Sequence, residues 1–193
     1  MSNSLVVSVG RVAWGYVFLY LDFSLNGFNF LPDWACYAFV LWALPGLALC
    51  ERSVKLLEPL AWLLLIVDAA EWVLPVFGLG TLIDEAYILG VVISVVSLYF
   101  HFQLLTNLAD IAGRFNAKRQ KSVLLLRNVR TVLLTLLALP WPIDRIEGSL
   151  DTFIGAIIML VGFSLIIWTL YTFFGLRGDI AQWIESENPG DEA

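Results

Sequence analysis

Six apolar runs, each close to the length of a membrane span, dominate this chain and constrain it more than any other feature. They are Leu5–Leu25, Trp34–Cys50, Pro59–Leu79, Glu85–Asn107, Ser122–Pro140 and Thr152–Leu176. A helix that crosses hydrocarbon needs about 20 mostly apolar residues. The expected fold is therefore an all-α, polytopic transmembrane bundle of about six spans. Composition agrees: 60% of the 193 residues are hydrophobic and 15% are charged, where a soluble domain runs nearer ~45–50% and ~25%. That balance excludes a soluble enzyme, a nucleic-acid binder and a disordered chain, and it makes the lipid bilayer the first partner.

The formal net charge of −6 does not orient the chain; the placement of Lys and Arg does. Arg52, Lys55, Arg114, Lys118, Arg119, Lys121 and Arg177 lie in or next to alternate connectors, against Arg145 alone on the opposite side. Seven basic residues against one predict cytoplasmic termini, the parity that six helices require. The N-terminal Met1–Leu5 carries no Lys or Arg, so the first run reads as a retained helix and not a signal peptide. Residues 1–177 form the expected transmembrane domain. Residues 178–193 form an acidic cytoplasmic tail, in which Ile180, Trp183 and Ile184 share one helical face, the pattern of a short amphipathic helix.

The connectors opposite the basic ones share a form. Asp33, Asp84 and Asp151 each precede an apolar run, where a carboxylate can cap a helix N-terminus. Three helical hairpins, each turning on that side, would repeat it. The segment Asn29-Phe30-Leu31-Pro32-Asp33-Trp34-Ala35-Cys36-Tyr37 opens the second run. It resembles a stretch in an uncharacterised family of small bacterial multi-pass membrane proteins, where an Asn, an LPD triplet and a Gly-Tyr pair open a helix. Cys36 stands here in the place of that Gly. The resemblance covers nine residues and implies a bacterial inner-membrane protein, with no activity attached. In size and topology alone, the chain also resembles the substrate-capturing subunits of bacterial vitamin uptake systems.

Ionisable residues inside spans are costly and mark candidate sites. Arg11 and Asp22 fall in the first run, Asp68 and Glu71 in the third, His101 in the fourth, and Arg127 and Arg130 in the fifth. Arg11 and Arg127 lie near enough to the cytoplasmic end to snorkel; Arg130 is a turn deeper. Asp22 can reach outer water. Asp68 and Glu71 stand near mid-depth at i, i+3 on one face. Two close carboxylates in a low dielectric cannot both ionise unless a cation joins them, so the pair reads as a proton or cation site. The competing expectation is neutralisation by Arg130 and Arg11.

His101, placed toward the cytoplasmic end of its span, is either a packing residue or an inward proton relay. Trp34 and Trp141 fall at the outer interface. Trp14, Trp42 and Trp72 fall near mid-depth, where aromatic faces would suit an organic cation. Pro45-Gly46 and Pro75 interrupt backbone bonding within spans, while Gly155, Gly162 and Gly175 are expected to permit close helix packing. Cys36 and Cys50, if on one helix, stand about 21 Å apart, beyond the ~7 Å limit of a disulfide. No metal-ligating cluster, nucleophile elbow or phosphate-binding loop occurs, so no catalytic residue, cofactor or metal is expected.

The reading that follows is a small transporter or membrane-embedded substrate binder, not an enzyme. Asp68 and Glu71 bind a proton or cation, Trp72 and Trp42 wall the site, Arg130 tunes it, and His101 relays. The alternative is a non-catalytic subunit or sensor that docks a protein partner through the basic connector and the acidic tail.

Overall fold

Helices occupy every one of the six apolar runs in the computed structural model, which describes residues 2–21, 24–25, 28–29, 32–77, 87–115, 118–138 and 149–187. They are α1 (Ser2–Tyr20), α2 (Trp34–Leu47), α3 (Glu58–Val73), α4 (Tyr87–Arg114), α5 (Gln120–Ala138) and α6 (Ser149–Glu187). A two-residue antiparallel pairing, Ser24 opposite Asn29 and Leu25 opposite Phe28, follows α1. Short 3-10 turns at Arg52–Leu57 and Leu74–Phe77 extend α3 at both ends. Three stretches are long and apolar enough to cross a membrane: Arg52–Phe77, Leu89–Arg114 and Phe153–Glu187. α2 is apolar but shorter.

Two helices outrun their apolar runs. α4 continues to Arg114, so much of the expected basic connector is helical and His101 lies at the middle of its helix, not near the end. α6 is 39 residues long, about 58 Å at ~1.5 Å per residue, and ~30 Å of hydrocarbon accounts for half of it. The acidic tail through Glu187 is thus the last part of α6. Its apolar face packs on the protein: Ile180 is buried, Ile184 lies against the core, and Trp183 meets Phe115 edge-on with centroids 5.0 Å apart.

Each helix packs on its neighbours in sequence, and α1 packs on α6, which closes a ring of six. The α1–α2 pair is the most intimate. Gly15 makes it so: a Cβ there would stand 3.0 Å from the Cys36 carbonyl oxygen and 3.2 Å from Phe39 Cβ. Gly46 on α2 faces the Ser8 and Ser4 hydroxyls in the same way. Small residues that let backbones approach are the normal adhesive of helices in lipid. Gly155 and Gly162, expected in that role, have no neighbour within 4 Å; Gly175 lies under the Arg119 side chain. Pro45 sits inside α2 without ending it, and Pro75 falls in the turn after α3. Asp33 occupies the N-cap position of α2, but its side chain makes no capping hydrogen bond. Asp151 lies within the first turn of α6, not ahead of it. Asp22, Asp84, Trp141 and Arg145 lie outside the described residues.

Packing is uneven along the ring. Toward the basic connectors the core is continuous, with Val9, Leu47, Leu57, Leu64, Leu105, Leu126, Phe173 and Leu176 all buried. Toward the opposite end the α3–α6 side opens. No residue is buried from Leu65 to Phe77, from Leu89 to Tyr99, from Thr131 to Ala138, or from Phe153 to Trp168. Tight helix pairs are therefore α1–α2, α1–α6, α2–α3 and α4–α5, and the hairpins α3–α4 and α5–α6 are splayed. The exposed side chains are large and apolar, among them Ile66, Val95, Leu160 and Phe163. Water would penalise so large an apolar surface; a lipid bilayer accepts it.

The basic end is fastened by polar contacts. Glu51 pairs with Arg114, and Arg114 also donates to the Cys50 carbonyl. Glu51 accepts from the Ser53 hydroxyl at 2.9 Å and from the Ser53 amide at 3.3 Å. These hydrogen bonds, and then Arg114, hold the Glu51 carboxyl below its ordinary range. A depressed folded-state pKa stabilises the fold above the unfolded value, and that contribution is lost as pH falls through the folded one. Two predictions follow from this packing. Gly15→Val should destabilise the detergent-purified protein by about 1–3 kcal/mol through overpacking against backbone, read as a lower melting temperature. On acidification from about pH 5 to about pH 3, the wild type should lose more thermal stability than Glu51→Gln; parallel losses would show that Glu51 contributes nothing.

Candidate functional site

The buried polar groups gather where the tight half of the ring meets the splayed half. Tyr16 of α1 is fully buried, and its hydroxyl lies 2.6 Å from Nδ1 of His101 on α4. Which atom donates depends on the His tautomer. Tyr37 of α2 flanks the same imidazole, with ring centroids 6.0 Å apart, and its hydroxyl is 3.5 Å from Ser97 Oγ. Phe173 of α6 closes on Tyr16 edge-to-face at 4.7 Å. Thr169, also of α6, is fully buried, its hydroxyl donating to the Leu165 carbonyl.

Arg130 enters this cluster from α5. It is 7% exposed, and its guanidinium carbon lies 5.2 Å from the Tyr16 ring centroid and 5.6 Å from that of Tyr20. Two aromatic faces give a desolvated cation attraction of about 2 kcal/mol, but they do not satisfy its N–H groups as acceptors do. Nη1 of Arg130 has no hydrogen-bond partner.

The expected neutralisation of the α3 carboxylates by arginines does not occur among the described residues. The ion pairs there are Glu51–Arg114 and Arg119–Asp179, both toward the basic end. Arg130 sits between tyrosines. Arg11 donates to the Trp42 carbonyl at 3.0 Å and stacks on the Trp42 ring at 3.9 Å. Arg127 turns to α4, donating to Thr106 Oγ1 at 3.1 Å and lying over Phe102. The i, i+3 spacing of Arg127 and Arg130 thus does not bring their side chains to one partner.

Asp68 is half-buried and Glu71 is exposed, close enough that their charges repel. Of the residues expected at the site, Arg130 and His101 meet the same side chain, Tyr16, from α5 and α4, while Asp68 and Glu71 lie one turn apart on α3. Trp42 is exposed and stacked on Arg11; Trp72 meets Trp34 edge-on at 6.3 Å. Trp14 is exposed against Phe174. No aromatic cage for an organic cation forms from Trp14, Trp42 and Trp72.

The residues that sequence reasoning passed over are Tyr16, Tyr20 and Tyr37. A signal for two of them was present: Tyr16 and Tyr20 stand at i, i+4 within a span, one face of a helix. Among the described residues, no group of three or more His, Cys, Asp or Glu could hold a metal ion. No family model, curated protein or solved structure matches the chain.

The Tyr16–His101 contact should be energetically measurable. Tyr16→Phe leaves Nδ1 of a buried imidazole unpaired, at a cost of about 1–3 kcal/mol. A double-mutant cycle with His101→Leu should give a coupling above ~0.5 kcal/mol; additive losses would mean that the hydrogen bond contributes nothing.

Proposed function

We propose that this chain is a six-span bacterial inner-membrane protein with both termini in the cytoplasm, and that it works as a small transporter or membrane-embedded substrate binder, not as an enzyme. The topology rests on the seven-to-one placement of basic residues across alternate connectors. The observation that carries the function is the separation of opposite charges in the bundle. Asp68 is half-buried on α3 and Arg130 is buried on α5, yet neither forms an ion pair among the described residues. Charges kept for structure alone pair with each other, because an unpaired charge in low dielectric is costly. Charges kept apart are available to something that arrives. In this reading Asp68, with Glu71 beside it, takes a proton or an inorganic cation.

The docking alternative has less support. Its two surfaces engage each other: Arg119 of the basic connector pairs with Asp179 at 3.3 Å, and Phe115 meets Trp183 edge-on.

Thermal unfolding across pH and an inorganic cation series tests the proposal. A ligand at ~100 times its Kd stabilises by about 2.7 kcal/mol if it binds only the folded state. The wild type should show such a shift, and Asp68→Asn/Glu71→Gln should not. A double mutant that responds like the wild type removes the α3 carboxylates from the site. A wild type that never responds removes the cation site altogether.

A further inference from the structure

Nη1 of Arg130, which has no hydrogen-bond partner, says more about the ligand than the carboxylates do. Arg130 is the last buried residue of α5; beyond it, residues 131–138 are half-buried or exposed. The same boundary falls at Phe100 on α4 and at Thr169 on α6. Arg130 thus lies at the floor of the splayed region, with the tight core below it and apolar helix segments above. It has aromatic faces on the α1 side, no carboxylate of the described residues within ion-pair distance, and an Nη1 donor pair with no acceptor. Guanidinium stays protonated in proteins, so it cannot escape burial by neutralising. Its planar fork matches the two oxygens of a carboxylate or phosphate, and such bonds strengthen where water is excluded.

We propose that Arg130 anchors an amphiphilic oxyanion: a carboxylate or phosphate group carried on an apolar body, which enters between the splayed ends of α3–α6. The oxyanion accepts from Nη1, and the apolar body lies along the apolar segments of α4 and α6 above Arg130, where no residue from Leu89 to Tyr99 or from Phe153 to Trp168 is buried. An inorganic anion would satisfy the charge but gain nothing from those walls. This inference deepens the binder reading by naming a ligand class, but it uses a different residue from the cation site, so the two can fail separately.

The test uses the full-length protein in neutral detergent with dodecyl phosphate as the probe, and dodecanol and inorganic phosphate as controls. Dodecyl phosphate should raise the wild-type melting temperature in a concentration-dependent way, while dodecanol should not and inorganic phosphate should do so weakly. Arg130→Gln should abolish the shift, and Arg130→Lys, which keeps the charge but loses the fork, should weaken apparent affinity about tenfold or more. A shift of equal size in Arg130→Gln, or none in the wild type, overturns the proposal. If Arg130→Gln does not fold, Arg130→Lys decides: unchanged affinity there overturns the fork. Nanodiscs separate the sources of the ligand. Arg130-dependent stabilisation by phosphatidylglycerol over phosphatidylcholine identifies a bilayer lipid, and stabilisation by dodecyl phosphate in both identifies a ligand from solution. Helical circular dichroism and a monodisperse elution profile like those of the wild type confirm a folded Arg130→Gln. Loss of the Asp68-dependent response with the dodecyl phosphate shift intact would sink the cation site and leave this one standing.

Discussion

A helix bundle surrounded by hydrocarbon gains little by hiding apolar side chains from a solvent that is itself apolar, so close approach of backbones must hold it together. Here that approach is concentrated between α1 and α2. Gly15 lies against the Cys36 carbonyl, and Gly46 against Ser4 and Ser8. Because those two helices meet so closely, Tyr16 and Tyr37 are drawn from neighbouring helices onto the same imidazole. The buried polar cluster therefore depends on two glycines that carry no chemistry themselves.

The second constraint is electrostatic. A low dielectric magnifies both the attraction within an ion pair and the cost of an unpaired ion. Among the described residues the ion pairs lie at the basic end, where Glu51 meets Arg114 and Asp179 meets Arg119. In the deeper region Arg130 lies beside Tyr16 and Tyr20, and Asp68 stands half-buried on α3. Aromatic faces lower the cost of the cation without supplying an acceptor. Among the described residues that leaves Nη1 of Arg130 without a partner, set where the tight half of the ring gives way to the open half.

Much of the fold was legible in the sequence because span length is a one-dimensional property. Twenty apolar residues mark a span wherever they occur, and all six runs are helical. The ends were less legible. Arg114 and Asp179 look like connector and tail by composition, yet they belong to α4 and α6 because each helix continues on protein contacts past its apolar stretch. The candidate site was legible in part: Asp68, His101 and Arg130 were evident as charges and polar groups in apolar surroundings. Their partners were not, because spacing along one helix says which residues share a face and nothing about which neighbour that face meets. Arg11 and Arg130 were equal candidates for Asp68, and neither pairs with it among the described residues.

The sequence by itself determined that the chain is helical and apolar enough for a membrane, and it carries a strong asymmetry of Lys and Arg along its length. Each of these follows from local composition, which the bilayer reads segment by segment. Only the tertiary structure decided that Trp42 belongs to Arg11, that the tail face of α6 belongs to the core, and that Arg130 lies beside two tyrosines with no ion pair among the described residues. Those outcomes depend on the order in which the helices surround one another and on how closely they approach, and backbone contact at Gly15 and Gly46 sets both.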